Sequence, residues 1–196
     1  NREPSITTRI PYSTHFRSPA PYAILENTYM LETGCWLEVD ASGSLKQGRF
    51  FEFPVFQEPD LHGEEAYETV HASLQAAVKR QMISDVPIGT FLSGGIDSPL
   101  ITAIAQSQTS QTIKAFTIGV DDSIMDESSE AALYAHEIGV DHYCERISFD
   151  HIEDLVQDVS AACSEPFGDY SIFPTLMLSK LAKSHIKVAL SGDGGD

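Results

Sequence analysis

Residues 86–107 read VPIGTFLSGGIDSPLITAIAQS, and the turn at their centre, Ser93 to Ser98, decides the fold. Before the turn, Val86, Ile88, Phe91 and Leu92 make a short apolar run of strand character; after it, Leu100, Ile101, Ala103, Ile104 and Ala105 recur at helical spacing. The hexapeptide SGGIDS therefore joins a buried strand to a helix. Gly94 and Gly95 allow a tight turn that leaves backbone N–H groups uncovered, Ser98 is the expected N-cap, and Pro99 fits the first helical position, where no N–H is needed. A helix N-terminus carries partial positive charge and unpaired donors, so the turn reads as a cradle for a polyphosphate. No lysine follows the glycines, which separates this turn from the GxxxxGK[ST] loop of kinases and GTPases.

Outward from the turn, helical and strand patterns alternate from residue 58 onward. Glu64 to Met82 reads as an amphipathic helix with Tyr67, Val70, Leu74, Ala77 and Val78 on one side. Further strands are expected over Ile113 to Gly119, His142 to Ser148 and Ile186 to Leu190, and helices near 128–138, 151–163 and 172–184. This alternation predicts an α/β fold, a parallel sheet with helices on both faces, whose ligands bind beyond the carboxyl ends of the strands. The stretches that follow strands at 93, 119 and 191 all fall at that edge.

Residues 1–57 have a different character, rich in aromatics, prolines and turn formers. The segment CWLEVDASGSLKQGRFFEF, 35–53, alternates as a hairpin does, with Ala41, Ser42 and Gly43 near the turn and Trp36, Val39, Phe51 and Phe53 as the expected buried positions.

The charge balance narrows the partners. Twelve basic against 29 acidic side chains in 196 residues give a net charge of −17, which disfavours binding to a nucleic-acid backbone. Cys35, Cys144 and Cys163 are odd in number and form no CxxC pair, as expected of reduced thiols in a cytoplasmic protein. No apolar run approaches the length of a membrane span. The first residues, NREPSITTRIP, are neither a leader nor an initiator methionine, so the chain is expected to be part of a longer one. The seven histidines show no HExxH or paired spacing, which argues against a metal site built on them; His142 reads as a structural residue at a strand start.

SGGIDS after a strand resembles the pyrophosphate loop of the ATP pyrophosphatase families, and within them the synthetase domain of glutamine-dependent asparagine synthetase. Three further stretches carry the resemblance: AFTIGVDD at 115–122, EPFGDYSIFPTLMLSKLAK at 165–183 and VALSGDGGD at 188–196. They occur in the family's order and cover residues 60–196 approximately. The resemblance implies an adenine nucleotide alpha-hydrolase-like fold and ATP-dependent, AMP- and pyrophosphate-forming amidation of a carboxylate. That carboxylate would be aspartate's, giving asparagine, with ammonia from glutamine. It also implies that residues 1–57 are the end of an N-terminal glutaminase domain of the same polypeptide and that 58–196 are a synthetase domain cut short at its C-terminus. The family's glutaminase nucleophile is an N-terminal cysteine, a position that Cys35, Cys144 and Cys163 do not occupy, so no glutamine hydrolysis is expected of this stretch.

The resemblance assigns the site residue by residue. Ser93, Gly94, Gly95, Asp97 and Ser98 would surround the phosphates. An acid inside a phosphate loop makes sense when a cation stands between it and the polyphosphate; Asp97 and Asp196 would hold magnesium against the departing pyrophosphate. Leu92 and Ile118, at strand ends, would pack on adenine, with Ser191 and Gly192 offering a hydroxyl and backbone groups. Asp193 would accept a proton as ammonia opens the acyl-adenylate, although some family members carry a longer glutamate there.

Other acids are less telling. Asp126 and Glu127 read as an N-cap and acidic first turn of the helix that follows. Asp121 and Asp122 fall in the same loop without an assigned role, and Glu165 and Asp169 belong to EPFGD, either positioning the site's floor or touching substrate. Two other readings remain open. One is a paralogue with another acyl substrate, as in β-lactam synthetase or sugar- and peptide-modifying amidotransferases; the other is a non-catalytic nucleotide-binding module, against which Asp97 and Asp193 argue. A tRNA-modifying relative would need a basic face or paired cysteines. A homodimer is left open.

Overall fold

A computed structural model describes residues 20–23, 25–55, 60–121, 126–147, 152–163, 169 and 171–193. These fall into two compact units, one from the chain up to residue 58 together with 160–170, the other from 59–159 with 171–196.

In the first unit, β1 (Cys35–Val39) and β2 (Leu45–Arg49) pair antiparallel, with Cys35 opposite Arg49 and Val39 opposite Leu45. The turn is organised by Asp40, whose carboxylate accepts the N–H groups of Ser42 and Ser44 at 2.8 and 3.0 Å and the Ser42 hydroxyl at 2.6 Å. These donors, the Ser42 hydroxyl first, hold Asp40 below the usual carboxylate range. Gly43 takes the left-handed φ of +83° that this turn requires. The expected burial of the hairpin's aromatics is corrected: Trp36 is 43 % and Phe53 76 % exposed, and Val39 and Phe51 are also open. A two-stranded ribbon by itself buries neither face, whatever its alternation. Trp36 instead lies over Gly48, where a Cβ would stand 2.7 Å from its ring, and Phe51 meets Phe53 edge-on at 5.2 Å.

The second unit is a four-stranded parallel sheet in the order β5-β4-β3-β6. Its elements are α1 (Gly63–Gln81), β3 (Ile88–Phe91), α2 (Asp97–Ser107), β4 (Lys114–Val120), α3 (Ser128–Ile138), β5 (Asp141–Ile147), α4 (Ile152–Ala162) as far as Val159, α5 (Ile172–Lys183) and β6 (Val188–Leu190). Alternation along β4 sends Ala115 and Phe116 to opposite faces. Ala115 packs with Leu92 and with Ala131 and Ala135 of α3; Phe116 packs with Ala182 of α5 and with Ile186. Helices therefore cover both faces, as expected. Phe116 is fully buried and stacks on Tyr143 at 5.3 Å, and Gly89 beside it has no room for a side chain, since a Cβ would lie 2.6 Å from the Lys114 carbonyl oxygen.

The helix α1 corrects another expectation. Val78 is buried and Leu74 packs on the Ile104 and Ala105 core, but Tyr67 and Val70 are exposed, so only the C-terminal half of the apolar stripe meets the unit's interior. The helix α3 closes on Gly139 at φ +82°, whose N–H returns to the Ala135 carbonyl. Among the described residues no helix is long and apolar enough to cross a membrane.

The strand order fixes where a ligand can enter. From β3 the chain moves through β4 to the edge strand β5, then returns to place β6 on the other side of β3. The direction of winding reverses between β3 and β6, and open parallel sheets bind their ligands at the carboxyl ends of strands that flank such a reversal.

Candidate functional site

The turn after β3 is held by its own side chains. The Leu92 N–H extends the ladder by donating to the Phe116 carbonyl at 2.8 Å, after which the chain turns into α2. Ser98 is not the cap: α2 starts at Asp97, its cap position is Ile96, and no side chain caps it. The Ser98 hydroxyl turns back instead, accepting the Ser93 N–H at 2.8 Å and bonding the Ser93 hydroxyl at 2.8 Å. Its oxygen closes the loop on itself and is thereby unavailable to the helix end. Pro99, third in the helix rather than first, still lies in the turn whose N–H groups have no helical acceptor. The Gly95 N–H points to the Ser93 hydroxyl at 3.3 Å, and the Gly94 N–H to the Glu127 carboxylate at 3.0 Å.

The strip after β6 lies directly against this turn. At Gly192 a Cβ would stand 2.7 Å from the Ser98 nitrogen and 2.9 Å from the Asp97 Cβ. Residues separated by about ninety positions in sequence thus share the first turn of α2. Asp193 follows at the exposed end, where it accepts the Ser191 hydroxyl at 3.0 Å and donates its N–H to that oxygen at 3.3 Å.

Leu92 and Ile118 do not share a face. The Leu92 side chain is 3 % exposed, in the core beneath α3, while alternation along β4 places half-buried Ile118 on the Phe116 side. The Leu92 carbonyl accepts the Thr117 hydroxyl at 2.8 Å, and since that hydroxyl has one proton, it accepts in turn from His142 Nε2 at 2.8 Å. Burial holds the His142 imidazole below its ordinary value, so the ring stays neutral in a structural chain of hydrogen bonds.

Around α3, Asp126 behaves partly as expected. It accepts the Ser128 N–H at 3.1 Å and pairs with Arg146 at 3.0 Å; the Ser128 hydroxyl first, then the Ser128 N–H and Arg146, hold its carboxyl low against the opposing effect of burial. Arg146 also donates to the Val120 carbonyl at 2.8 Å and faces Asp121 at 3.7 Å. Glu127 departs from the local reading: it crosses to Gly94 in the loop after β3 instead of serving its own helix. Nothing in the local pattern DES could have revealed that, because the contact joins residues 33 apart.

Asp196, Asp122 and Glu165 lie outside the described residues, so the pairing of Asp97 with Asp196 at a cation has no geometry here. Among the described residues no cluster of three or more His, Cys, Asp or Glu forms a metal site. The three cysteines are free, and burial together with nearby Asp126 pushes the Cys144 thiol up, away from reactive thiolate. A cavity bounded by Met82, Pro87, Thr112, Lys114 and His185 opens at the amino ends of the strands, on the side of the sheet opposite the loop.

The architecture defines an α/β protein with a glycine-containing loop between strand and helix at the reversal of its parallel sheet, and comparison with known sequences supplies the family. Residues 69–196 match the family model described as asparagine synthase, and the chain belongs to that family. It is 34 % identical over 180 residues to a putative glutamine-hydrolyzing asparagine synthetase 2 of Methanocaldococcus jannaschii, covering 91 % of this chain and 35 % of that protein. It is 30 % identical over 184 residues to a putative glutamine-hydrolyzing asparagine synthetase of Mycobacterium bovis, covering 91 % and 28 %. With the glutamine-hydrolyzing asparagine synthetase 1 of Bacillus subtilis the identity is 28 % over 181 residues, again covering 91 % and 28 %. The chain spans about a third of the length of these relatives.

Proposed function

We propose that this chain carries the ATP-dependent half of an amidating ligase, which activates the side-chain carboxylate of aspartate, releases AMP and pyrophosphate, and forms asparagine with ammonia from glutamine. The observation that supports this most is the seating of Gly192 on the first turn of α2, which sets the 191–193 strip beside the phosphate loop at the sheet's reversal. Family membership and the asparagine synthetase activity for which the relatives are named point the same way. On this reading residues 1–57 are the end of a glutaminase domain, and the rest of that domain belongs to the same polypeptide.

The donor set is consistent with a magnesium-bound polyphosphate. Residues 93–98 contain no basic side chain, and Asp97 starts α2 with its carboxylate at the loop. A polyanion placed among carboxylates needs an intervening cation, and hard carboxylate oxygens suit magnesium, which supplies charge neutralisation at the leaving pyrophosphate when bound. Asp97 and Asp196 would hold it.

Ser93, Gly94, Gly95 and Ser98 would orient the phosphates through hydroxyls and N–H groups at a helix N-terminus. Ser191, Gly192, Ile118 and the backbone of Leu92 would border the nucleoside. Asp193, exposed at the end of the strip, would accept a proton from the incoming ammonia. Placement of the carboxylate in line with the α-phosphate would provide much of the acceleration. The test is pyrophosphate release by the full-length protein with aspartate, other amino acids and β-amino acids as candidate acids. Aspartate-dependent release carries the reading, release with another acid moves the chain to a paralogous substrate, and no ATP turnover or binding refutes it.

A further inference from the structure

Three successive N–H groups of the phosphate loop are occupied by side-chain oxygens. Ser93 donates to the Ser98 hydroxyl at 2.8 Å, Gly95 to the Ser93 hydroxyl at 3.3 Å, and Gly94 to Glu127 Oε2 at 3.0 Å. Two of these acceptors are neutral hydroxyls of the loop and its helix. The third is a carboxylate from the start of α3, and a hydrogen bond to a carboxylate is roughly twice as strong as one between neutral groups. The approach is also close: a Cβ on Gly94 would lie 2.9 Å from the Cβ atoms of both Glu127 and Glu130. Position 94 therefore has no room for a side chain larger than glycine's hydrogen.

We propose that Glu127 is an internal ligand of the phosphate loop, whose carboxylate holds the Gly94 N–H until a polyphosphate takes that donor. The inference rests on the reading of this loop as the ATP site. One N–H cannot satisfy two anions at full strength, and a carboxylate left beside a phosphate repels it. Nucleotide binding therefore includes release of Glu127. The free loop stays ordered with its donor satisfied, and nucleotide affinity is set by the difference between phosphate and carboxylate as partners for Gly94.

The experiment titrates magnesium pyrophosphate and magnesium ATP into the full-length protein, wild type, Glu127→Gln and Glu127→Ala, while following the Gly94 amide resonance and the thermal midpoint. Glu127→Gln keeps the shape and removes the charge; it should bind both probes about three- to tenfold more tightly. In the wild type, saturating pyrophosphate should move the Gly94 resonance away from its carboxylate-bound position. Unchanged or weaker binding by a normally folded Glu127→Gln overturns the proposal while leaving the ATP reading intact. Binding of neither probe by wild type or variants overturns both. Should the variants fold poorly, the wild type decides alone: a Gly94 resonance that stays in place at saturating pyrophosphate refutes the exchange.

Discussion

Gly192 and Ser98 approach so closely that one added methyl group at position 192 would sit 2.7 Å from the Ser98 nitrogen. The contact is made by backbone against backbone, so no flexible side chain can yield. It seats the strip after β6 on the first turn of α2.

Gly192→Ala should therefore push the strip off α2. We expect a loss of about 1–3 kcal/mol of stability from overpacking, and a fall in pyrophosphate release larger than that loss explains. Denaturant unfolding alongside turnover checks both. An alanine variant with full activity would detach the strip from the site.

Ser98→Ala removes the acceptor of the partly buried Ser93 N–H and the partner of the Ser93 hydroxyl. A cost of about 1–2 kcal/mol is expected. Weaker ATP binding should accompany it, measured by equilibrium titration, while Ser98→Thr should restore part of both.

Asp97→Asn and Asp193→Asn should fail at different steps. The first should lower magnesium-dependent pyrophosphate release by about a hundredfold or more, through loss of a ligand charge beside the leaving group. The second should keep some aspartate-dependent exchange of labelled pyrophosphate into ATP while losing asparagine formation. Exchange and synthesis assays on the two variants separate these outcomes, and an equal loss in both assays for Asp193→Asn would move it to the activation step.

His142 should give the fold a pH dependence on the acid side. Its pKa in the fold lies below the ordinary 6.5 because burial disfavours the imidazolium. The unfolded chain thus binds the proton more readily, and stability should be full above about pH 6.5 and decline as the pH falls below that value. Thermal melts between pH 7.5 and 5 should show a steeper fall for wild type than for His142→Gln. Parallel profiles would assign the acid sensitivity elsewhere.

Phe116→Ala should cost about 3–5 kcal/mol, since the ring is fully buried between Tyr143, His185 and α5 and its removal leaves a cavity. Urea unfolding measures it directly.

What the sequence settled is what depends on neighbours along the chain. The apolar run before Ser93, the paired glycines and the helical spacing after Pro99 specify strand, turn and helix through local backbone freedom and periodicity, and α3 occupies the expected 128–138. The hairpin's turn at Asp40 to Ser44 is likewise local, although Asp40 organises it rather than the three residues after it. What depends on which surfaces meet was not legible. Whether Trp36 and Phe53 are covered, and how much of α1 is buried, depends on the layer present behind them, and periodicity marks a face without saying what lies against it. The Ser98 hydroxyl chose Ser93 over its own helix end because the loop closes that way in space. Above all, the placement of β6 beside β3 brings Gly192 onto Ser98, and α3 delivers Glu127 to Gly94. Both contacts join residues far apart in the chain, and only packing of the finished sheet and helices decides them.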